Sequence, residues 1–129
     1  FGAGLAVQLA GGDDYDVSKW SGITAWLRSP VPLEVSLALG TRSTMSAAYG
    51  GRCEPKGNLG CDDHYEVTRV IGPHWTYVRA PLSELHQRGG GQVAPWNPKE
   101  VVELHVRIHH LPSEPPMSFS LIVDDVGFW

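Results

Sequence analysis

Apolar and polar side chains alternate without interruption in segment 102–110, which carries the clearest pattern in the chain. The apolar positions are Val102, Leu104, Val106 and Ile108, and the polar positions between them are Glu103, His105, Arg107 and His109. A period of two is typical of a half-buried β-strand whose apolar side packs on a core. We therefore expect the polar side to be either a solvated outer wall or the floor of a binding cleft.

Similar patterns, bounded by glycine, proline and other turn residues, predict further strands. They cover residues 4–10, 22–28, 33–39, 64–71, 75–82 and 118–128. Segment 40–63 has no periodicity and is predicted to be a long loop, and no segment predicts a long helix. Many short strands joined by turns indicate an all-β chain. We predict a single domain over residues 1–129 that folds as an antiparallel β-sandwich of the jelly-roll type.

Composition is consistent with one folded domain and restricts its partners. The chain has 129 residues, of which 42% are hydrophobic, enough for one core. A formal net charge of -4 argues against binding to nucleic acid or to an anionic membrane surface. No apolar run is long enough for membrane insertion. The sequence begins at Phe1 without a signal peptide, which we interpret as a trimmed product or a piece of a longer chain.

Cys53 and Cys61 lie close together in the predicted long loop. An even number of cysteines at short spacing predicts a disulfide, and therefore an oxidising compartment. Free thiols in a cytosolic protein, or zinc ligation together with His64, are the alternatives. Asp62 and Asp63 follow directly, and we expect them to organise the loop by accepting hydrogen bonds from backbone N–H groups.

Several strands carry aromatic or planar polar side chains on the side that points away from the core. This set comprises Trp26, Arg28, Tyr77, Arg79, His105 and Arg107. If their strands belong to one sheet, these side chains form a cleft suited to a sugar. The C–H face of a sugar packs on aromatic rings, and its hydroxyls bond to arginine and histidine. The alternatives are an ordinary solvated exterior, or burial of Trp26 and Tyr77 beneath the long loop.

The sequence lacks the motifs of common catalytic sites. No pair of carboxylates at fixed spacing indicates a glycosidase, and G-x-S-x-G, H-E-x-x-H and a phosphate-binding glycine loop are absent. We therefore expect a binding module and not an enzyme. A metal-dependent enzyme built on His64, His105 and His109 is the remaining catalytic alternative. Asp124 and Asp125 suit either a calcium ion or an ordinary turn.

Taken in order, several short motifs resemble those of one family. They are FGAGL at 1–5, YDVS at 15–18, GITAW at 22–26, CDDH at 61–64, WTY at 75–77, PLSEL at 81–85 with Gln87, and Phe119 with VDDV at 123–126. This order is similar to that of carbohydrate-binding-module-like jelly rolls of the galactose-binding-domain-like group, found in bacterial secreted proteins and lipoproteins. The resemblance spans nearly the whole chain, and it depends on the order of the motifs more than on any single one.

The resemblance implies a β-sandwich with a structural calcium ion at Asp125. It also implies that a glycan lies on the face that carries Tyr77, Arg79, His105 and Arg107. We expect Arg28 to contact the glycan as well, with Trp26 and Gln87 as supports. Such proteins are secreted, periplasmic or attached to the cell surface.

The chain departs from the family pattern at three places. Ala25 stands where the pattern prefers an aromatic residue, and Gly89, Gly90 and Gly91 replace a Gly-Trp-Gly run that would offer a stacking ring. The family pattern also has a strand before the aromatic-Gly-Ala-Gly motif. We therefore expect either that the chain is cut and lacks its N-terminal strand, or that a separate segment, such as one from a protein partner, supplies it.

These observations predict non-catalytic binding of a glycan or polysaccharide by an exported bacterial module. The alternative is a structural or protein-interaction domain in a cell-surface or extracellular assembly. An open sheet edge would then pair with a strand of the partner.

Overall fold

A computed structural model describes residues 2–109 and 118–129 of the chain, and within them seven β-strands form two antiparallel sheets. The strands are β1 (Gly2–Gln8), β2 (Gly22–Arg28), β3 (Leu33–Thr41), β4 (Tyr65–Ile71), β5 (Thr76–Pro81), β6 (Val101–His109) and β7 (Ile122–Phe128). Three short 3₁₀ turns occur at Ala10–Gly12, Ala47–Tyr49 and Leu82–Glu84. No helix in the described part of the chain is long and apolar enough to cross a membrane.

The strand order is β1-β6-β3-β4 in one sheet and β5-β2-β7 in the other. Every hydrogen-bonded neighbour is antiparallel. The predicted β-sandwich is therefore confirmed. Each predicted strand corresponds to an observed one, although β7 begins at residue 122 and not at 118, and residue 110 lies outside the described residues.

The core lies between the two sheets and consists of alternate residues from both of them. Ile23, Ala25 and Leu27 of β2 are fully buried, and they join a cluster with the apolar sides of β3 and β6. This arrangement follows from the alternation in the sequence, because burying one side of each strand removes its apolar surface from water. The opposite sides of the strands form the two outer faces of the molecule.

The long loop after β3 is held by a disulfide and by two aspartates. Cys53 and Cys61 are bonded to each other, which confirms the predicted disulfide and rules out zinc ligation by their thiolates. The carboxylate of Asp62 accepts a hydrogen bond from the backbone N–H of Ser46 at 3.3 Å. The carboxylate of Asp63 accepts bonds from three backbone N–H groups, those of Arg88, Gly89 and Gly91. The predicted role of both aspartates is therefore confirmed.

Candidate functional site

The structure separates the side chains that we expected to share one cleft. Trp26 and Arg28 lie on β2, and Tyr77 and Arg79 lie on β5, all in the three-stranded sheet. His105 and Arg107 lie on β6, in the four-stranded sheet. The predicted common face is therefore wrong. Alternation along a strand shows which side chains face outward, but it does not show which strands are neighbours.

The outer face of the three-stranded sheet carries an aromatic pair. Trp26 and Tyr77 stand opposite each other on β2 and β5, with ring centroids 5.1 Å apart and planes at 41°. Their residues are 38% and 48% exposed, so neither packs beneath the long loop. Arg79 lies over the ring of Trp129 at 4.3 Å from its centroid, which is within the range of a cation–π interaction. We call this surface the aromatic face.

The outer face of the four-stranded sheet is polar and has a floor of small residues. Strand pairing aligns its side chains in rows across the sheet: Gly4, Arg107, Ser36 and Thr68 in one, Ala6, His105, Ala38 and Glu66 in the next, and Gln8, Glu103 and Gly40 in the third. The small residues of β1 and β3 leave room for the long side chains of β6 between them. For example, a Cβ atom on Gly4 would lie 3.4 Å from the Cγ of Arg107. We call this surface the polar face.

Glu66 is the buried acceptor at the centre of the polar face. It is only 3% exposed, and its carboxylate accepts a hydrogen bond from Ser36 Oγ at 3.2 Å. His109 Nε2 lies 3.1 Å from the carboxylate, Arg88 Nη1 lies 3.4 Å away and Arg107 Nη1 4.0 Å away. Burial of a carboxylate is tolerated only when it is paired in this way. Sequence reasoning missed Glu66 because its surroundings depend on the register of β4 against β3.

Two histidines pack against each other at one end of the polar face, with their rings tilted by 44°. The ring centroids of His64 and His105 are 4.7 Å apart, and both rings lie above Gly40. The Nδ1 atom of His64 is 2.9 Å from the hydroxyl oxygen of Thr44, which fixes the orientation of the ring. Burial, assisted by the charge of Arg107, lowers the pKa of His64 from 6.5 to about 2 and that of His105 from 6.5 to about 4. Both imidazoles are therefore neutral at pH 7.

Glu103 completes a cluster with these histidines. The cluster of His64, Glu103 and His105 is the one group of three potential metal ligands that we find within residues 2–109 and 118–129. The three-histidine set suggested by the sequence is therefore wrong in one member. His109 contacts Glu66 instead, and Glu103 takes its place beside the other two histidines.

Gln87 braces the loops beside the polar face. Its amide nitrogen donates to the carbonyl oxygens of Asp63 at 2.7 Å and Gln92 at 2.9 Å, and its amide oxygen accepts from the N–H of Ala94 at 2.9 Å. Both polar atoms of the Gln87 side chain are therefore bonded within the protein itself. Near these loops an open depression of about 440 Å³ extends the polar face along β4; its lining includes Glu66, Thr68, Val70, His86 and Arg88.

Asp125, the expected calcium ligand, lies in β7 near an irregularity in the pairing with β2. Its φ angle of 47° is in the left-handed region, and its N–H donates to the carboxylate of Asp124 at 2.8 Å. Calcium binding at Asp125 stays a prediction.

Comparisons with known proteins identify the fold. A scan against models of protein families finds no match, and a search of curated proteins finds none either. Solved structures do match, and they are jelly-roll β-sandwiches. The resemblance inferred from the sequence is thereby confirmed at the level of the fold.

These structural neighbours are family 11 carbohydrate-binding modules. One, from Clostridium thermocellum in complex with a β-1,3-1,4-mixed-linked tetrasaccharide, superposes with a TM-score of 0.61 at 15% identity, over 97% of this chain and 66% of that chain. Another belongs to a cellulosomal cellulase of Clostridium thermocellum, with a TM-score of 0.58, 16% identity, and 97% and 65% coverage. The solution structure of CtCBM11 gives a TM-score of 0.51 at 12% identity, with 98% and 82% coverage. The chain thus spans about two thirds of the length of the first two neighbours.

Proposed function

We propose that this protein is a non-catalytic module that binds carbohydrate through its polar face. The observation that carries the proposal is the row of planar polar side chains above a floor of glycine, alanine and serine. Arg107 and His109 provide donors and Glu103 provides an acceptor, and His105 and the buried Glu66 hold these side chains in place. Sugar hydroxyls both donate and accept hydrogen bonds, so a surface with both kinds of group at close spacing suits them.

Two further observations support the proposal. The structural neighbours are carbohydrate-binding modules, one of them in complex with a mixed-linked tetrasaccharide. The disulfide between Cys53 and Cys61 favours an oxidising compartment, which agrees with an exported protein that meets polysaccharide outside the cell. We infer a bacterial, extracellular or cell-surface setting on the same grounds.

The proposal is tested by affinity gel electrophoresis and calorimetry with mixed-linked β-glucan as the first probe, followed by other soluble glucans. Arg107→Ala should weaken binding about 10- to 100-fold, because a charge-assisted hydrogen bond contributes about 1.5–3 kcal/mol. The matched variant is Arg28→Ala, the same change on an exposed arginine of the other sheet.

Arg28→Ala should bind like the wild type and keep its melting temperature. Circular dichroism should show that Arg107→Ala, which removes one partner of Glu66, is still folded at the assay temperature. Loss of binding in Arg28→Ala but not in Arg107→Ala would move the site to the aromatic face. A wild-type protein that binds none of the glucans would end the proposal for this class of glycan.

A further inference from the structure

The cluster of His64, Glu103 and His105 has the composition and spacing of a metal site. One potential ligand atom from each residue lies within 4.8 Å of the other two. Ligand atoms around Zn²⁺ lie about 2.0–2.2 Å from the metal, and therefore about 3.3 Å from one another in a tetrahedron. Small rotations of the side chains would close the remaining gap. His105 Nε2 and Glu103 Oε2 are already 2.9 Å apart.

The Nε2 atom of His105 is buried and has no hydrogen-bond partner among the described residues. The oxygen of Glu103 is near it but lies outside hydrogen-bond geometry. An imidazole nitrogen buried without a partner costs free energy, and a metal ion would remove that cost. The unpaired Nε2 atom therefore points to a bound ion independently of which residue types make up the cluster.

Gly40 keeps the space between the two rings open. A Cβ atom at Gly40 would lie 3.3 Å from Nε2 of His64 and 3.5 Å from Nε2 of His105. Both nitrogens therefore converge on the same region above the sheet. On the far side of the first ring, Thr44 Oγ1 contacts Nδ1 of His64. Such an outer contact orients a metal-binding histidine and selects the tautomer that leaves Nε2 free.

We propose that His64, His105 and Glu103 bind a divalent transition-metal ion, with imidazole nitrogens from the histidines and a carboxylate oxygen from Glu103. Two histidines and one carboxylate are a ligand set that Zn²⁺ accepts, with the fourth position left to water. The side chains of His105 and Glu103 are 12% and 15% exposed, so an ion reaches the site from the polar face.

One positively charged side chain beside the site acts against metal binding. Arg107 opposes it, since one of its guanidinium nitrogens lies 3.5 Å from Nδ1 of His105 and, as a donor, favours the tautomer with the proton on Nε2. That proton must move to Nδ1 when the metal binds. The carboxylate of Glu103 offsets the positive charge of Arg107 at the site itself. We therefore expect Arg107→Gln to strengthen metal binding, because it removes this positive charge.

The test is calorimetry with Zn²⁺, together with the visible absorption of Co²⁺, on protein first stripped with EDTA and without any glycan. The wild type should bind one Zn²⁺ ion and give the intense absorption of tetrahedral Co²⁺. Glu103→Gln and His105→Gln should each weaken Zn²⁺ binding by more than the roughly 10- to 100-fold that loss of an outer contact costs. The matched control is His74→Gln, in an exposed histidine of the loop before β5.

His74→Gln should bind Zn²⁺ with the affinity of the wild type. The proposal is overturned if the wild type takes up no Zn²⁺ at micromolar concentrations, or if Glu103→Gln and His105→Gln bind as tightly as the wild type. His64 is left unchanged in this test, because it is buried against Thr44 and its replacement would disturb folding. Circular dichroism of each variant confirms that a loss of binding is not a loss of fold.

Discussion

The two outer faces of this sandwich arise from the same alternating pattern but differ in how their side chains are satisfied. On the polar face, Glu66 and His64 are almost fully buried and depend on named partners such as Ser36 and Thr44. On the aromatic face, Trp26 and Tyr77 remain 38% and 48% exposed and their rings pack against each other. The polar face is therefore a preorganised network, whereas the aromatic face is a local cluster. Changes on the first should affect both stability and binding, and changes on the second should affect little beyond the pair itself.

The largest expected difference between the two faces is the effect of pH on stability, which we expect from the histidines of the polar face. His64 and His105 have pKa values of about 2 and about 4 in the folded protein, against 6.5 for an ordinary histidine. Because the unfolded state takes up protons at pH values where the folded state does not, the free energy of unfolding is highest above pH 6.5. It decreases as the pH falls toward the lower pKa values of the folded protein. Each imidazole should reduce the free energy of unfolding by up to about 2 kcal/mol between pH 6.5 and 5.

Urea denaturation of EDTA-treated protein at several pH values measures this loss. His105→Gln removes one of the two titrating groups, so its stability should fall less steeply with acidification than that of the wild type. Equal slopes in the two proteins would show that His105 titrates normally and that the polar face is more hydrated than its geometry indicates.

The second expected difference concerns the buried carboxylate of Glu66 on the polar face. Glu66→Ala should lower the free energy of unfolding by about 3 kcal/mol, because it leaves the charges of Arg88 and Arg107 without their shared buried partner. Glu34→Ala is the matched change, on an exposed glutamate of β3 in the same sheet, and it should cost no more than about 0.5 kcal/mol. Chemical denaturation provides the measurement. Similar costs for the two variants would contradict the description of the polar face as a network centred on Glu66.

The smallest effect is expected on the aromatic face. Tyr77→Ala should lower the free energy of unfolding by about 1 kcal/mol, which is the scale of one aromatic pair at an exposed position. Thermal melts measure this cost, and binding of glucan and Zn²⁺ should not change. A large loss of glucan affinity in Tyr77→Ala would reverse the comparison and make the aromatic face the functional one.

The elements of the fold were predictable, and the composition of the site was not. Each predicted strand was found because alternation reports burial directly, and the loop after β3 was expected to be stapled by Cys53 and Cys61. The contribution of Glu103 was missed, although it lies in the segment with the clearest pattern. Its partner His64 stands at the end of a distant loop, and only the pairing of β3 with both neighbours brings it beside His105.

The amino-acid sequence by itself determined which side chains of each strand face the core, because burial of apolar surface depends on a period of two that can be read locally. Only the tertiary structure decided which strands lie side by side. It placed Tyr77 and Arg107 on opposite sheets and gathered Glu66, Glu103 and the two adjacent histidines on one. Strand order and register depend on contacts between residues far apart in the chain, and a pattern of period two is the same in every sheet that could contain it.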